Sequence, residues 1–220
     1  MTDSFFYQDC LGVVLAGGKS SRMGTSKALL MRSSSRSDGQ SSSQENMLSY
    51  SKKLLKNIGI EKVVVSGDIE GEPTNNNVLD EFAELGPMGG IYSVIKKYQP
   101  KSLLILPVDL PLMTSQSLAE LRLKGELSNK ATYFRDSNRQ AHHIPLYLPN
   151  NALLQLFLQQ AFMPENIDSR VEHNKENAKN GPSVRGMLQQ VPHQAITCSN
   201  SNTLFNTNTP QEWQQAQKQF

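Results

Sequence analysis

The glycine-rich stretch 12–27 constrains the fold of this chain more than any other segment. The apolar run Leu11–Ala16 has the length of a buried strand, and Gly17 and Gly18 follow it, so we expect the chain to turn there. Glycine has no Cβ, which lets backbone N–H groups approach a phosphate closely. Cations that could neutralise phosphate charge follow at Lys19, Arg22 and Lys27. The pattern predicts a nucleotide-phosphate loop, and the alternative is an ordinary glycine-rich turn with solvated cations.

Spacing excludes two familiar phosphate loops. In the P-loop, a first glycine is followed after four residues by Gly-Lys-Ser/Thr. Here the interval from Gly18 to Gly24 is too long, and Thr25 stands where the lysine would follow. The dinucleotide fingerprint G-x-G-x-x-G is also absent from this stretch. A nucleotide site here must be of another kind.

The chain as a whole limits the class of protein. At 220 residues it is most simply one domain, large enough to bury a core. A formal net charge of +2 gives no electrostatic case for extended nucleic-acid binding. Cys10 and Cys198 fit no metal or disulfide framework, which favours a reducing compartment. No Lys or Arg precedes Lys19, and no apolar run nears membrane-spanning length. We therefore expect a cytoplasmic protein with neither a nucleic-acid nor a membrane partner.

Short apolar runs alternate with helical patterns along the rest of the chain. Further strands are predicted at 62–66, 102–106, 131–134 and 144–148, and helices at 47–58, 89–98 and 115–127. A last helix is expected from Pro210, with Thr209 as its cap and Glu212 in its first turn. The alternation predicts a Rossmann-like α/β fold of three layers with a mostly parallel sheet. Ligands of such sheets bind beyond the carboxyl ends of the strands.

Two segments are too polar for the core. Residues 32–46 contain seven serines among fifteen residues, so we expect a mobile surface insertion. Residues 168–181 have no apolar side chain between Val171 and Ala178, which predicts a loop. Neither segment is expected to pack inside the fold.

Asp109 follows a predicted strand directly and stands between Pro107 and Pro111. The two prolines stiffen the chain here and prevent the strand from continuing. A carboxylate beyond a parallel sheet and close to a phosphate loop suits Mg²⁺, which takes few protein carboxylates together with phosphate oxygens and water. The alternative is an aspartate that caps the following helix.

A second glycine-rich turn, Leu85–Ile91, opens the helix predicted at 89–98. Its amides and the helix N-terminus could face a ligand, or the turn could serve close packing alone. Asp80 and Glu81 come shortly before it. Either carboxylate could accept hydrogen bonds from the edge of a base, or both could belong to a solvated acidic loop.

The remaining polar candidates are His142, His143, Asn206 and Asn208. The two histidines precede the strand at 144–148, and adjacent side chains on a strand point to opposite faces, so at most one is expected to face the site. The two asparagines precede the last helix, where the residues alone indicate turn and cap chemistry.

Together these motifs resemble those of the nucleotidyltransferases that attach a nucleotide to molybdopterin, above all the molybdenum cofactor guanylyltransferases. The resemblance covers nearly the full chain in order. Its segments are Leu15–Lys27, Gly86–Ile91, Pro107–Pro111, the region of His142 and Pro145, and Phe205–Pro210. The first is shared by many sugar-phosphate and cofactor nucleotidyltransferases, whereas the second and the last are more specific to the molybdopterin enzymes.

The resemblance implies transfer of GMP from GTP to the terminal phosphate of molybdopterin, with Mg²⁺ as cofactor and pyrophosphate as product. The residues implied around the nucleotide are Leu15, Ala16, Gly17, Gly18, Lys27, Ser66, Asp80 (or Glu81) and Asp109. Arg22, Lys27 and Asp109 would be catalytic, and Asp109 would hold the metal. Towards the pterin the resemblance implies His142, Asn206 and Asn208. It also implies transient contacts with proteins that carry molybdopterin.

The chain departs from the family pattern at two positions of the implied site. Ser26 stands before Lys27, where the family usually has aspartate, and Ser66 stands where guanylyltransferases often have asparagine. The serine-rich segment 32–46 also replaces a short glycine turn. The alternatives are therefore CMP transfer to molybdopterin, nucleotidyl transfer to another small-molecule phosphate, and a nucleotide-binding module without turnover.

Overall fold

The secondary structure follows the alternation of apolar and polar runs. The structure, a computed structural model, describes residues 10–17, 26–34, 43–69, 76–82, 85–163 and 182–220. The strands within these ranges are β1 (Leu11–Leu15), β2 (Met31–Ser34), β3 (Ser43–Asn46), β4 (Val63–Ser66), β5 (Asn77–Val78), β6 (Ser102–Pro107), β7 (Ala131–Arg135), β8 (Ala141–Pro149) and β9 (His193–Thr197). The α-helices are α1 (Met47–Asn57), α2 (Gly86–Tyr98), α3 (Ser115–Ser128), α4 (Ala152–Ala161), α5 (Val184–Leu188) and α6 (Pro210–Gln217). Short 3-10 helices lie at Lys27–Leu29 and Ser201–Leu204.

A seven-stranded sheet in the order β5-β4-β1-β6-β8-β7-β9 forms the middle layer of the described structure. Strands β5, β4, β1 and β6 are parallel, β8 is antiparallel to both of its neighbours, and β9 is parallel to β7. The sheet is therefore mostly parallel, as the sequence predicts. The carboxyl ends of β4, β1 and β6 meet at one edge of it.

Apolar cores lie on both faces of the sheet, because the side chains of the central strands are buried on both. Val13 of β1 packs into the core formed with α2, α4 and α5, whereas Val14 packs into the core formed with α1 and α3. Both side chains are 0% exposed. The two helical layers around one sheet confirm the predicted three-layer α/β fold.

Most predicted elements are present, with shifts at their ends. The helix predicted at 89–98 begins earlier, at Gly86, with Pro87 in its first turn. Proline is tolerated there because the N–H groups of the first turn have no partner within the helix. The last helix begins at Pro210, and Thr209 and Glu212 form the reciprocal capping box. The strand at 144–148 extends in both directions to Ala141–Pro149.

Both ends of the serine-rich segment carry secondary structure that the sequence analysis did not predict. β2 and β3 pair antiparallel, with Arg32 opposite Glu45, and form a two-stranded ribbon. Residues 35–42 and the loop predicted at 168–181 lie outside the described residues. Across the described ranges, no helix combines the length and the apolar character needed to cross a membrane.

Candidate nucleotide and metal site

The ends of three parallel strands bring the two predicted motifs together. Leu15 of β1 is opposite Ser66 of β4 on one side and Pro107 of β6 on the other. Neighbouring strands are spaced by about 4.8 Å, so the chain leaves β4 and β6 roughly 10 Å apart. One nucleotide placed over the end of β1 can therefore reach both neighbours.

The turn after β1 is tied to both neighbouring strands. The N–H groups of Ala16 and Gly17 donate to the carbonyl oxygen of Ser66 at 2.9 and 3.1 Å, and Val108 N–H donates to the Leu15 carbonyl oxygen at 3.2 Å. These two amides of the glycine turn are engaged within the sheet and are not available to a phosphate. Gly18 and Arg22, which follow in the predicted loop, lie outside the described residues.

Gly67 allows the loop after β4 to touch the loop after β1. Its φ is +132°, and a Cβ at this position would lie 2.6 Å from the backbone nitrogen of Gly17. A side chain would clash with backbone there, so the close approach requires glycine. The contact fixes the separation of the two loops.

Ser66, Asp80 and Gly90 converge beside these loops. Ser66 Oγ donates to Asp80 Oδ1 at 3.3 Å. A Cβ at Gly90 would lie only 2.1 Å from Ser66 Oγ, so the backbone of α2 packs directly against the pair. Burial raises the pKa of Asp80 above its ordinary value, and the hydrogen bond from Ser66 opposes that rise.

The neighbouring acid, Glu81, is placed differently. Its side chain is exposed and pairs with Lys96 Nζ at 2.5 Å. The Glu81 N–H donates to Ser93 Oγ at 2.9 Å, which ties the backbone next to Asp80 to helix α2. Of the two candidate base contacts, Asp80 is the acid that lies against Ser66 and Gly90.

Lys27 joins the two most distant motifs of the chain. Its Nζ donates to Asp109 Oδ2 at 3.1 Å and to Asn208 Oδ1 at 2.6 Å, across 82 and 181 positions of sequence. The side chains of Lys27 and Asp109 are each 18% exposed. The predicted phosphate lysine, metal carboxylate and pterin-side asparagine therefore form one cluster.

The second carboxylate oxygen of Asp109 has the surroundings of a cation ligand. Asp109 Oδ1 is buried, and within the described structure it has no hydrogen-bond partner. A buried anionic oxygen without a partner is unfavourable unless a cation or donor completes it. No group of three or more metal-binding side chains occurs among the described residues. This donor set fits Mg²⁺ better than a cation that needs a full protein cage.

Buried and exposed side chains alternate along residues 206–208, and the buried one attaches this segment to the cluster. Thr207 is 1% exposed and donates to the Asp109 carbonyl oxygen from its N–H at 2.9 Å and from its hydroxyl at 3.3 Å. Asn206 and Asn208, on either side of Thr207, are exposed. The buried threonine therefore anchors the segment to the Asp109 loop and leaves the amide side chains at the surface.

Glu212 fixes the backbone of Asn208. Its Oε2 accepts the N–H groups of Asn208 and Thr209 at 2.7 and 2.8 Å. The hydrogen bond from the Asn208 backbone, supported by Thr209 and by the charge of Lys27, holds the pKa of Glu212 below its ordinary value. The capping acid thus positions the asparagine that binds Lys27.

The two histidines lie in separate surroundings further along the sheet. His142 of β8 places Nε2 3.4 Å from Asp136 Oδ2. The His143 ring lies edge-on against Tyr133, with ring centroids 5.1 Å apart. Burial, with the charge of Arg185, lowers the pKa of His143. His142 is at the ligand edge of the sheet, but its contact is with Asp136.

Sequence reasoning missed the positioning roles of Thr207, Gly67 and Glu212. Thr207 had a local signal, because the Asn-Thr-Asn-Thr alternation before a helix cap suits an extended segment with one buried face. Gly67 acts between two loops, and no local pattern indicates that contact. Glu212 has a local signal in the capping pattern with Thr209, but that pattern does not show that the same carboxylate accepts the Asn208 N–H.

Comparison with known proteins finds relatives that match most of this chain. A family model described as the MobA-like NTP transferase domain matches residues 12–166. A molybdenum cofactor guanylyltransferase of Xanthomonas euvesicatoria is 30% identical over 205 residues, which cover 92% of this chain and 91% of that protein.

Solved structures share the fold at lower identity. A molybdopterin-guanine dinucleotide biosynthesis protein A of Archaeoglobus fulgidus gives a TM-score of 0.64 at 15% identity, covering 94% of this chain and 97% of the other. A Mycobacterium tuberculosis protein, solved in complex with manganese, gives a TM-score of 0.54 at 13% identity, covering 96% of this chain and 100% of the other. These likenesses show a fold of the nucleotidyltransferase type.

Proposed function

This chain belongs to the MobA-like NTP transferase family and is a nucleotidyltransferase, and we propose that it transfers GMP from GTP to the terminal phosphate of molybdopterin. The family membership agrees with the resemblance seen in the motifs. The observation that carries the proposal is the contact of Lys27 with both Asp109 and Asn208. That contact joins the nucleotide motif to the asparagine motif in one cluster, as a two-substrate reaction requires.

We assign the guanine base to the site beside Asp80, whose carboxylate lies against Ser66 and Gly90. An ionised Asp80 carboxylate accepts hydrogen bonds from the N–H groups of guanine, which cytosine does not present in the same arrangement. The absence of a side chain at Gly90 lets the α2 backbone pack against Ser66 and Asp80, which holds that carboxylate in place. Because the amides of Ala16 and Gly17 donate to Ser66, these two residues would contact the nucleotide through their carbonyl oxygens.

Asp109 suits a divalent cation, which we assign as Mg²⁺. Its buried Oδ1 has no partner in the described structure, while Lys27 occupies Oδ2, so one oxygen remains for a metal. When bound with the nucleotide, such an ion neutralises charge on the phosphate oxygens and stabilises the charge that develops at the α-phosphorus. A single protein carboxylate is enough, since the triphosphate and water supply the remaining oxygens.

The remaining chemistry needs positioning rather than a general base. An oxygen of the pterin phosphate forms a bond to the α-phosphorus of GTP, the α–β anhydride bond breaks, and pyrophosphate leaves with the electron pair. A phosphate monoester is already ionised at neutral pH, so no protein group has to remove a proton. Lys27, with Arg22 from the same motif, neutralises triphosphate charge, and alignment of the two substrates supplies much of the remaining rate.

The exposed amides of Asn206 and Asn208 face the second substrate in this proposal. Amide side chains offer both donors and acceptors to a pterin ring or to its phosphate. His142 lies at the same edge of the sheet and extends the pterin side. Proteins that carry molybdopterin would approach this edge transiently.

Pyrophosphate release tests the proposal directly. Purified protein with Mg²⁺ is given GTP, CTP, ATP or UTP, each with and without molybdopterin. The proposed function predicts release only when GTP and molybdopterin are both present, together with formation of molybdopterin guanine dinucleotide. Release with CTP in place of GTP would overturn the base assignment. Release without molybdopterin, or none with any pair, would overturn the assigned reaction.

A further inference from the structure

The loop that follows β6 is held at its backbone at Asp109 and again at Pro111. Thr207 donates to the carbonyl oxygen of Asp109 itself. Two residues further on, Arg32 Nε donates to the carbonyl oxygen of Pro111 at 3.1 Å. One donor comes from the segment before α6 and the other from the ribbon of β2 and β3. The position of Asp109 therefore depends on elements that lie far apart in the sequence.

The guanidinium of Arg32 is fixed between two aromatic rings. Its Cζ lies 4.2 Å from the ring centroid of Tyr50 and 4.5 Å from that of Phe220. Tyr50 in turn donates its hydroxyl to the Met113 carbonyl oxygen at 2.5 Å, which is a further hydrogen bond to the same loop. Phe220 is held by edge contact with Trp213 of α6, at a centroid separation of 5.9 Å. The arginine thus links the ribbon, α1, α6 and the loop.

The chemistry of the contact requires arginine rather than any cation. A planar guanidinium stacks on aromatic faces and still presents N–H donors at its edge, whereas an ammonium is a compact charge on a flexible stem. Pro111 has a fixed φ, so a force on its carbonyl oxygen is transmitted along a stiff chain. Only Leu110 separates this proline from Asp109.

The nearby acid of the ribbon pairs with a different cation. Glu45 is opposite Arg32 in the ribbon register, yet Glu45 Oε1 pairs with Lys53 Nζ at 3.6 Å. The Lys53 side chain is 57% exposed. An exposed ion pair of this kind contributes little to stability, and among the described residues the ion-pair partner of Lys53 is Glu45 of the ribbon and not a residue of the loop. Lys53 offers a matched control for the loss of one positive charge at the ribbon.

We propose that Arg32 is a positioning residue of the transfer reaction. It holds the loop at Pro111 so that the Asp109 carboxylate stays at the metal position beside Lys27. The identity of the transfer reaction rests on the proposed function, whereas the contacts of Arg32 with the loop do not depend on it. The first residue of the serine-rich segment 32–46 therefore supports the site, although the sequence predicted that the whole segment is a surface insertion.

The test compares the full-length wild type with Arg32→Met, Arg32→Lys and Lys53→Met. Three quantities are measured: Mn²⁺ affinity in the presence of GTP by electron paramagnetic resonance, kcat and KM for GTP in the transfer assay, and the thermal midpoint. For Arg32→Met we expect kcat to fall by about ten- to a hundredfold, the cost of a misplaced catalytic group. Mn²⁺ affinity falls with it, while KM for GTP changes little because the base pocket is untouched. Arg32→Lys lies between Arg32→Met and wild type, and Lys53→Met behaves as wild type.

Wild-type kcat and Mn²⁺ affinity in Arg32→Met would overturn the proposal. An equal loss in Lys53→Met would also overturn it, because the effect would then be one of charge at the ribbon. If Arg32→Met does not fold, Arg32→Lys decides: normal Mn²⁺ affinity in it contradicts the role. If the wild type binds Mn²⁺ and GTP but transfers nothing to molybdopterin, the proposed function fails and the Mn²⁺ measurement still tests Arg32.

Discussion

The two sides of β1 are built by different means. On the side of β4, which we call the base side, Ser66, Asp80 and Gly90 are in close contact, and a single Cβ would clash there. On the side of β6, the metal side, Lys27 donates charge-assisted hydrogen bonds to Asp109 at 3.1 Å and to Asn208 at 2.6 Å. Close packing fixes the shape of a pocket, whereas charge-assisted hydrogen bonds fix the position of charge. Changes on the base side should therefore alter nucleotide affinity, and changes on the metal side should alter the rate of transfer.

After replacement of Asp109, the largest effect on transfer is expected for Lys27→Met. Removing one preorganised cationic donor from the reacting phosphates should lower kcat by about a hundred- to a thousandfold. KM for GTP should rise much less. Steady-state kinetics of transfer measures both, and Lys96→Met, whose exposed side chain pairs with Glu81, is the matched control. A change in KM alone would place Lys27 with nucleotide binding and not with the chemistry.

Gly90→Ala tests the base side. The new Cβ would lie 2.1 Å from Ser66 Oγ, so the packing of α2 against Ser66 must deform. We expect KM for GTP to rise by roughly tenfold or more and the free energy of unfolding to fall by about 1–3 kcal/mol, as overpacking does. Gly89→Ala is the graded companion, because its Cβ would approach Leu85 Cβ at 3.2 Å and the Phe82 carbonyl oxygen at 3.3 Å, a much smaller overlap than at Gly90. If kcat falls in Gly90→Ala while KM is unchanged, the base side does not determine nucleotide affinity separately from the rate of transfer.

Asp80 gives the base side a pH dependence. Burial raises its pKa, so its carboxylate protonates at a higher pH than an exposed aspartate when the solution is acidified. The protonated form accepts fewer hydrogen bonds, and GTP affinity should decline as pH falls through that raised pKa. Binding titrations across acidic pH measure the decline. In Asp80→Asn affinity should be low throughout and this part of the pH dependence should be absent; an unchanged pH profile would contradict the assignment.

The smallest effect is expected for Glu212→Ala on the metal side. The substitution removes the acceptor of the Asn208 and Thr209 N–H groups. A charge at a helix N-terminus contributes about 0.3–1 kcal/mol, so stability should fall by that amount. We expect kcat to fall severalfold, since Asn208 then holds Lys27 less well, with KM for GTP unchanged. Glu212→Gln, which keeps an acceptor oxygen, should recover most of kcat. If it does not, Glu212 acts through its charge and not through the hydrogen bonds that it accepts from Asn208 and Thr209.

The central strand β1, the turn after it and the position of Asp109 could be predicted from the sequence because their signals are local. The β1 run and the turn at Gly17 combine strand length with glycine, and Asp109 follows a strand between two prolines. The edge of the sheet at which a ligand binds then follows from parallel topology, whereas the strand order is known only from the structure. The capping pattern at Thr209 likewise predicted the start of α6 at Pro210, since both partners lie within one helical turn.

The remaining features depend on contacts between distant residues or on weak local patterns. The contact of Lys27 with Asn208 spans 181 positions, and neither residue carries a sign of the other. Helix α4 was missed because Leu153 and Leu156 are exposed, so its apolar residues show no clear 3.6-residue period. The ribbon was missed because serine has little strand preference, although β2 and β3 pair in register.

The division of roles between the two sides is tested most directly by measuring GTP binding and GMP transfer on the same Asp109→Asn protein. Asparagine keeps the size of the side chain and removes the charge that Lys27 and the metal require. We predict that transfer to molybdopterin falls by about a thousandfold or more, while the affinity for GTP measured without divalent metal stays within a fewfold of wild type. Transfer at the wild-type rate, or loss of metal-free GTP binding to the same degree as transfer, would contradict it.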